Sequence, residues 1–207
     1  FGKSYTANML AAYYSKGCNS EEMFSGLDIS RKSDFKTHLN QYDVIHIDIQ
    51  WFLANCYNSN KIVSFLSDSV ISELRDIYPD ILPLGELSLP DSLSRIKDKT
   101  GQKFIIIIDE WDVLIRDEAT NYYIQNEYIN FLRGMFKGTE PTKYIQLAYL
   151  TGILPIKKEK TQSAVNNLEE FTMLHSYELA PYIGFTENEV KMLCQKYDRD
   201  FEKVKKW

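Results

Sequence analysis

Residues 103–110, Lys-Phe-Ile-Ile-Ile-Ile-Asp-Glu, constrain this chain more than any other stretch. Five apolar residues in a row suit a strand buried on both faces, and the two carboxylates after them surface where the strand ends. A strand covered on both faces needs helices on either side. The expected fold is therefore α/β, three-layered, with a mostly parallel central sheet.

The rest of the chain alternates to match. Residues 5–16 carry Met9, Leu10, Tyr13 and Tyr14 at helical spacing, and Gly17 is placed to end that helix in a left-handed cap. Residues 42–50 alternate: Ile45, Ile47 and Ile49 face one way, and His46, Asp48 and Gln50 the other, as in a strand. Residues 60–78 place Ile62, Leu66, Val70, Leu74 and Ile77 on one helical face, and Pro79 stops them. A short amphipathic helix runs to Thr100, before Gly101. Residues 121–137 predict a helix, 144–150 a second buried strand, and 171–180 one more strand. Thr186-Glu-Asn-Glu189 is a capping box opening a last helix through Val190, Leu193 and Tyr197.

Composition narrows the function classes. Hydrophobic residues make up 44% of 207, enough to bury a core, and charges make up 26%, typical of a globular chain. The net charge of −5 argues against a strong grip on a nucleic-acid backbone, although it permits a local basic cleft for a triphosphate. No run approaches the length of a membrane span. Cys18, Cys56 and Cys194 are widely spaced and show no metal-ligand pattern, so reduced thiols and a cytoplasmic location are expected.

Three places carry chemistry. Gly2-Lys3-Ser4 stands at a helix start, as in the last part of a phosphate-binding loop, with Tyr5 following. There the backbone amides and the helix N-terminus hold phosphates, the Lys reaches the β and γ phosphates, and the hydroxyl takes Mg²⁺. The second place is Asp109-Glu110. Asp109 is expected to hold Mg²⁺ and Glu110 to polarise the attacking water. The third is Thr151-Gly152, after the next strand. Thr151 is placed to touch the γ-phosphate or the water, the alternative being an ordinary strand-ending turn. The ~100 residues between the first two motifs leave room for an additional strand, supplied by residues 42–50. Simple GTPases lack that insertion, and no Asn-Lys-x-Asp motif occurs.

Four stretches make the resemblance specific: Phe-Gly-Lys-Ser (1–4), Ile-Ile-Asp-Glu-Trp-Asp (107–112), Leu-Thr-Gly-Ile-Leu (150–154) and Tyr-Ile-Gly-Phe-Thr-Glu-Asn-Glu-Val (182–190). Asn166-Asn167-Leu168 lies between the last two. The chain resembles the AAA-ATPase-like family of bacterial and archaeal proteins, whose members often carry a PD-(D/E)XK nuclease-like domain downstream. The resemblance implies a P-loop NTPase fold of AAA-like type, with ATP and Mg²⁺ as cofactors. The family's phosphate loop runs Arg-Pro-Arg-Arg-Phe-Gly-Lys-[Ser/Thr], of which the last four positions are present. Lys206-Trp207 looks like the start of a longer family segment. The expectation is a fragment truncated at both ends: a core over 1–180 lacking its first strand, and the start of a helical lid over 181–207.

Other residues read more plainly. Asp112 reads as a surface carboxylate on a solvated turn. Trp111 reads as packing beside the site rather than stacking on adenine. Arg116 and Arg133 read as helix-surface arginines rather than fingers that neutralise transition-state charge. Lys157, Lys158 and Lys160 read as a solvated basic loop. His38, His46 and His175 are scattered and take no role. The expected function is ATP hydrolysis coupled to a conformational switch, acting on a protein or nucleic acid, with no membrane partner. Two rivals are a nucleotide-responsive scaffold with little hydrolysis, and a small-molecule P-loop kinase. The kinase predicts an Arg-rich lid, yet Arg199 is the one arginine in 155–207.

Overall fold

The computed structural model of the chain describes residues 2–116, 121–155, 167–172, 175–182 and 184–206. Its elements in chain order are α1 (Lys3–Tyr14), α2 (Glu21–Phe24), α3 (Phe35–His38), β1 (Asp43–Asp48), α4 (Ile49–Asn55), α5 (Ile62–Ile77), α6 (Leu89–Thr100), β2 (Phe104–Asp109), α7 (Val113–Arg116), α8 (Tyr122–Phe136), α9 (Pro141–Tyr144), β3 (Ile145–Leu150), α10 (Glu187–Lys196) and α11 (Phe201–Lys205). The chain divides into two compact units, Lys3–Glu170 and Phe171–Trp207, the second taking in Phe1–Gly2.

In the larger unit the three strands form a parallel sheet of order β1-β2-β3. Every residue of β2 is buried, because β2 is central and both its faces are covered. Successive side chains alternate between the faces. Ile106 and Ile108 join Ile45 and Ile47 in the main core, with Phe52 of α4, Leu66 of α5, Leu93 of α6 and Tyr128 of α8. Ile105 and Ile107 pack on the opposite face against Ala7 and Leu10 of α1. The result is three layers, helix–sheet–helix.

The termini of these helices follow from their sequences. Ser88 caps α6 by accepting the Asp91 N–H at 3.2 Å, and Gly101 ends it at φ 76°, a conformation open to glycine at no steric cost. Gly17 does not end α1 in a left-handed cap; it is absent from the residues of positive φ. Asn40 does that work from 25 residues downstream. Its side-chain amide donates to the Ala12 carbonyl at 3.0 Å and the Ser15 carbonyl at 2.9 Å, satisfying the helix's orphan acceptors. Asn40 itself sits at φ 56°, which asparagine tolerates better than most residues.

Two strand expectations need correction. β3 is less buried than its apolar sequence suggests: Gln146 and Leu147 are exposed, because among the described residues only β2 pairs with it. Among the described residues of 171–180 no strand forms. A single antiparallel bridge links Thr172 and His175, and a 3₁₀ helix follows over Tyr177–Tyr182. Tyr177 at φ 44° breaks the extended path, and Pro181 has no N–H to give a ladder.

In the smaller unit the capping box forms as read. Thr186 Oγ1 accepts the Glu189 N–H at 3.3 Å, and Glu189 Oε2 accepts the Thr186 N–H at 2.7 Å. Among the described residues no helix is long and apolar enough to cross a membrane.

Candidate functional site

The direction of α1 places its first residues. The Tyr42 N–H donates to the Tyr14 carbonyl at 2.9 Å, and the Lys16 N–H donates to the Tyr42 carbonyl at 2.9 Å. The end of α1 is therefore fixed at the entrance of β1. From there the helix lies against Ile105 and Ile107, running opposite to the strands. Twelve helical residues span about 18 Å and six strand residues about 20 Å, so the two elements match in length. Lys3 and Ser4 thus stand at the carboxyl ends of the strands, where α/β sheets bind ligands. Lys3 is half-buried, and Ser4 and Tyr5 are exposed. Gly2 precedes them at φ 81°.

Asp109 ends β2 on the same face as Ile105 and Ile107, the face that α1 covers. It is 6% exposed, and its Oδ1 accepts the Glu110 N–H at 3.0 Å. The phenol of Tyr149 has its pKa raised by burial and, secondarily, by the Asp109 charge, so the two side chains are electrostatic neighbours.

Thr151 continues the ladder past β3. Its N–H donates to the Ile108 carbonyl at 2.9 Å, and its carbonyl accepts the Trp111 N–H at 3.0 Å. It therefore pairs beside Asp109, and partners in a parallel ladder present their side chains to one face. Thr151 is 5% exposed, and its Oγ1 is buried with no hydrogen-bond partner. A buried orphan hydroxyl is costly unless something else meets it. Asp48, which the sequence reading did not single out as a site residue, stands on the other side of Asp109 in register with it. Its carboxylate caps α4 by accepting the Trp51 N–H at 3.0 Å. The signal was available: Asp48 ends a strand that alternates, as Asp109 ends its own.

Glu110 lies in the left-handed region at φ 54°, uncommon for a residue with a side chain. Arg116 Nη2 donates to Glu110 Oε2 at 3.0 Å. Arg116 is thus a partner of the acidic motif and not a plain helix-surface arginine. Arg133 instead donates to Asn130 on its own helix, at 2.9 Å. Trp111 is buried, which leaves it packing beside the site and unable to stack on adenine.

Asp112 corrects its sequence reading outright. It is fully buried, and its Oδ2 accepts the N–H groups of Ile153 at 3.0 Å and Leu154 at 2.7 Å. No solvated turn is involved. Its partners lie about 40 residues away, where local sequence gives no sign of them. The basic residues Lys157, Lys158 and Lys160 lie outside the described residues.

Residues 1–161, more than three-quarters of the chain, match the family described as "Predicted AAA-ATPase". The chain belongs to the AAA-ATPase-like family. Nucleotide binding and hydrolysis are the general activity that this membership supports. An "Uncharacterized protein in vnfD 5'region" from Azotobacter chroococcum mcd 1 is similar, at 21% identity across 92% of this chain and 35% of its own length. The AAA-ATPase-like chain thus spans about a third of that relative. No solved structure matches it.

Proposed function

We propose that this chain binds ATP with Mg²⁺ and hydrolyses it, and that turnover drives a conformational change in the segment after residue 180. One observation carries the reading. The start of α1, with Lys3 and Ser4, stands at the end of the sheet that also bears Asp109 and the unpartnered Thr151 hydroxyl. A helix N-terminus that favours an anion, a carboxylate whose oxygens suit a metal and a hydroxyl awaiting a partner fit one ligand, a Mg²⁺-bound triphosphate. The AAA-like arrangement, with a strand (β1) between the two motifs in sequence, belongs to this same reading.

The oxygen donors of Ser4 and Asp109 suit Mg²⁺ and would hold it, directly or through water. When bound, Mg²⁺ neutralises charge on the β and γ phosphates. Lys3 places its ammonium against the same oxygens, and the free amides of the first turn of α1 receive the phosphates. Glu110 orients water for in-line attack on the γ-phosphorus. Thr151 donates its hydroxyl to the γ-phosphate, which satisfies its buried oxygen.

A second reading keeps one observation of its own. The Glu110 carboxylate is held by Arg116, which favours a module that binds nucleotide and turns it over slowly. The output, on a protein or on nucleic acid through a downstream nuclease-like domain, is proposed from the family resemblance alone. So is a cytoplasmic location.

The test is ATP binding and hydrolysis by the full-length protein beside Lys3→Ala and Glu110→Gln. Lys3→Ala is expected to lose ATP affinity. Glu110→Gln is expected to bind ATP and lose turnover by about 100-fold or more. A wild type that binds no nucleotide ends the reading. A wild type that binds, with turnover unchanged in Glu110→Gln, favours the slow module.

A further inference from the structure

Asp112 is the one fully buried carboxylate among the described residues, and the reaction above gives it no part. Its surroundings form a lock between two turns. From the β3 side, three of the four residues 151–154 are tied down through their main-chain groups. Thr151 bonds the Ile108 carbonyl and the Trp111 N–H. Ile153 and Leu154 both donate to Asp112 Oδ2. Between them Gly152 approaches so closely that a Cβ there would lie 2.6 Å from Asp112 Oδ1 and 2.6 Å from both Cδ1 and Nε1 of Trp111. No real Cβ tolerates such contacts, and neither the buried indole nor the hydrogen-bonded carboxylate has room to give. Glycine at 152 is what lets the two turns close.

The consequence falls on Thr151. The ladder fixes its backbone on one side, and among the described residues Asp112 supplies the side-chain hydrogen bonds that hold the residues after it, with Leu154 also packed against the core. With that carboxylate gone, the two part-buried N–H groups lose their acceptor, and the 152–154 segment is expected to shift toward water to satisfy them. Thr151 would move with it, away from its place beside Asp109.

We propose that Asp112 is a positioning residue of the nucleotide site: by clamping residues 152–154 to the turn after β2, with Gly152 at the crossing, it holds the Thr151 hydroxyl beside Asp109. The part of this inference that concerns phosphate rests on the function proposed above. The clamp itself does not.

Two measurements on the full-length protein decide it. The first is hydrogen exchange at the amides of Ile153 and Leu154. Asp112→Ala is expected to speed exchange there by about tenfold or more, and Asp112→Asn, which keeps a carbonyl acceptor, to restore most of the protection. The second is a cycle with Thr151→Val, read as kcat and KM for ATP separately. Asp112→Ala is expected to lower kcat by about tenfold or more with KM little changed, and to add nothing once Thr151 is already Val. Gly152→Ala, with Asp112 intact, is expected to give the same kcat loss, and it serves if Asp112→Ala does not fold. Unchanged exchange overturns the clamp. Equal losses with and without the Thr151 hydroxyl overturn the positioning role and leave a general structural one. A wild type with no ATP turnover sinks the function reading, while the exchange measurement still decides whether Asp112 holds the loop.

Discussion

The Glu110 carboxylate meets the Arg116 guanidinium at 3.0 Å, with both side chains 29% exposed. A carboxylate held by a cation is a weaker hydrogen-bond acceptor for water than a free one. Arg116 therefore restrains the residue expected to orient water. Arg116→Ala is expected to raise kcat for ATP by roughly three- to tenfold, within the range that general-base groups contribute. Steady-state hydrolysis checks it. A fall of similar size would show that Arg116 assists the reaction instead.

Stability at high pH has a specific cause. Tyr144 is buried against α6, and its phenol pKa is pushed up to about 12, first by burial and then by the Asp91 and Glu140 charges. The unfolded phenol titrates near its ordinary value of 10. Above pH 10 the unfolded state sheds a proton that the folded state keeps, so stability is full below pH 10 and falls as pH rises to about 12. The slope per fully coupled group is at most about 1.4 kcal/mol per pH unit. Tyr128 is shifted in the same direction by burial and adds to the loss. Urea unfolding between pH 9 and about 11.5 is expected to show a shallower decline in Tyr144→Phe than in wild type.

The Asn40 amide that closes α1 supplies a second stability prediction. Asn40→Ala removes the side-chain amide bonds to the Ala12 and Ser15 carbonyls, which keep Ser20 Oγ and the Cys18 N–H as donors, and leaves at φ 56° a residue without asparagine's tolerance of that region. The expected cost is about 1–3 kcal/mol. Asn40→Gly relieves the backbone but not the lost bonds. It should recover only the conformational part, about 1 kcal/mol. Denaturant midpoints of the three proteins separate the two contributions.

What could be read from sequence, and what could not, follows the range of the interactions. β2 was legible because a run of apolar residues closed by two carboxylates fits few alternatives. The capping box at Thr186 and the end of the helix at Thr100, before Gly101, were legible because the groups involved lie within four residues. Asp112 was misread because its partners are the amides of Ile153 and Leu154. A buried acceptor and a solvated one look alike until the loop after β3 is in place. The end of α1 failed for the same reason: Gly17 was the local candidate, and Asn40 arrives through the tertiary fold. Residues 171–180 were read as one more strand, whereas a 3₁₀ turn containing Pro181 runs over Tyr177–Tyr182. Of the candidate site, Lys3, Ser4 and Asp109 were singled out by motif and Thr151 by its position at a strand end. Their common placement at one end of the sheet required the bond between Tyr14 and Tyr42.

The sheet offers a paired test of that placement. Ile106 and Ile107 are adjacent and both fully buried, yet they face opposite helix layers. Truncating either to alanine is expected to cost about 2–5 kcal/mol, since each leaves a cavity in a packed layer. Their effects on nucleotide should differ. Ile107 supports α1 through the contact with Ala7, and α1 carries Lys3 and Ser4. A cavity there lets the helix shift along the sheet and moves both residues. Ile106 lies under the layer of α5, α6 and α8, which carries neither. At a temperature where both variants remain folded, Ile107→Ala should weaken ATP affinity by about tenfold, while Ile106→Ala should leave it near wild type. Calorimetric titration with ATP and Mg²⁺ reads the difference. Equal affinities in the two variants would mean that α1 does not position the phosphate site, and the assignment of Lys3 would fall with it.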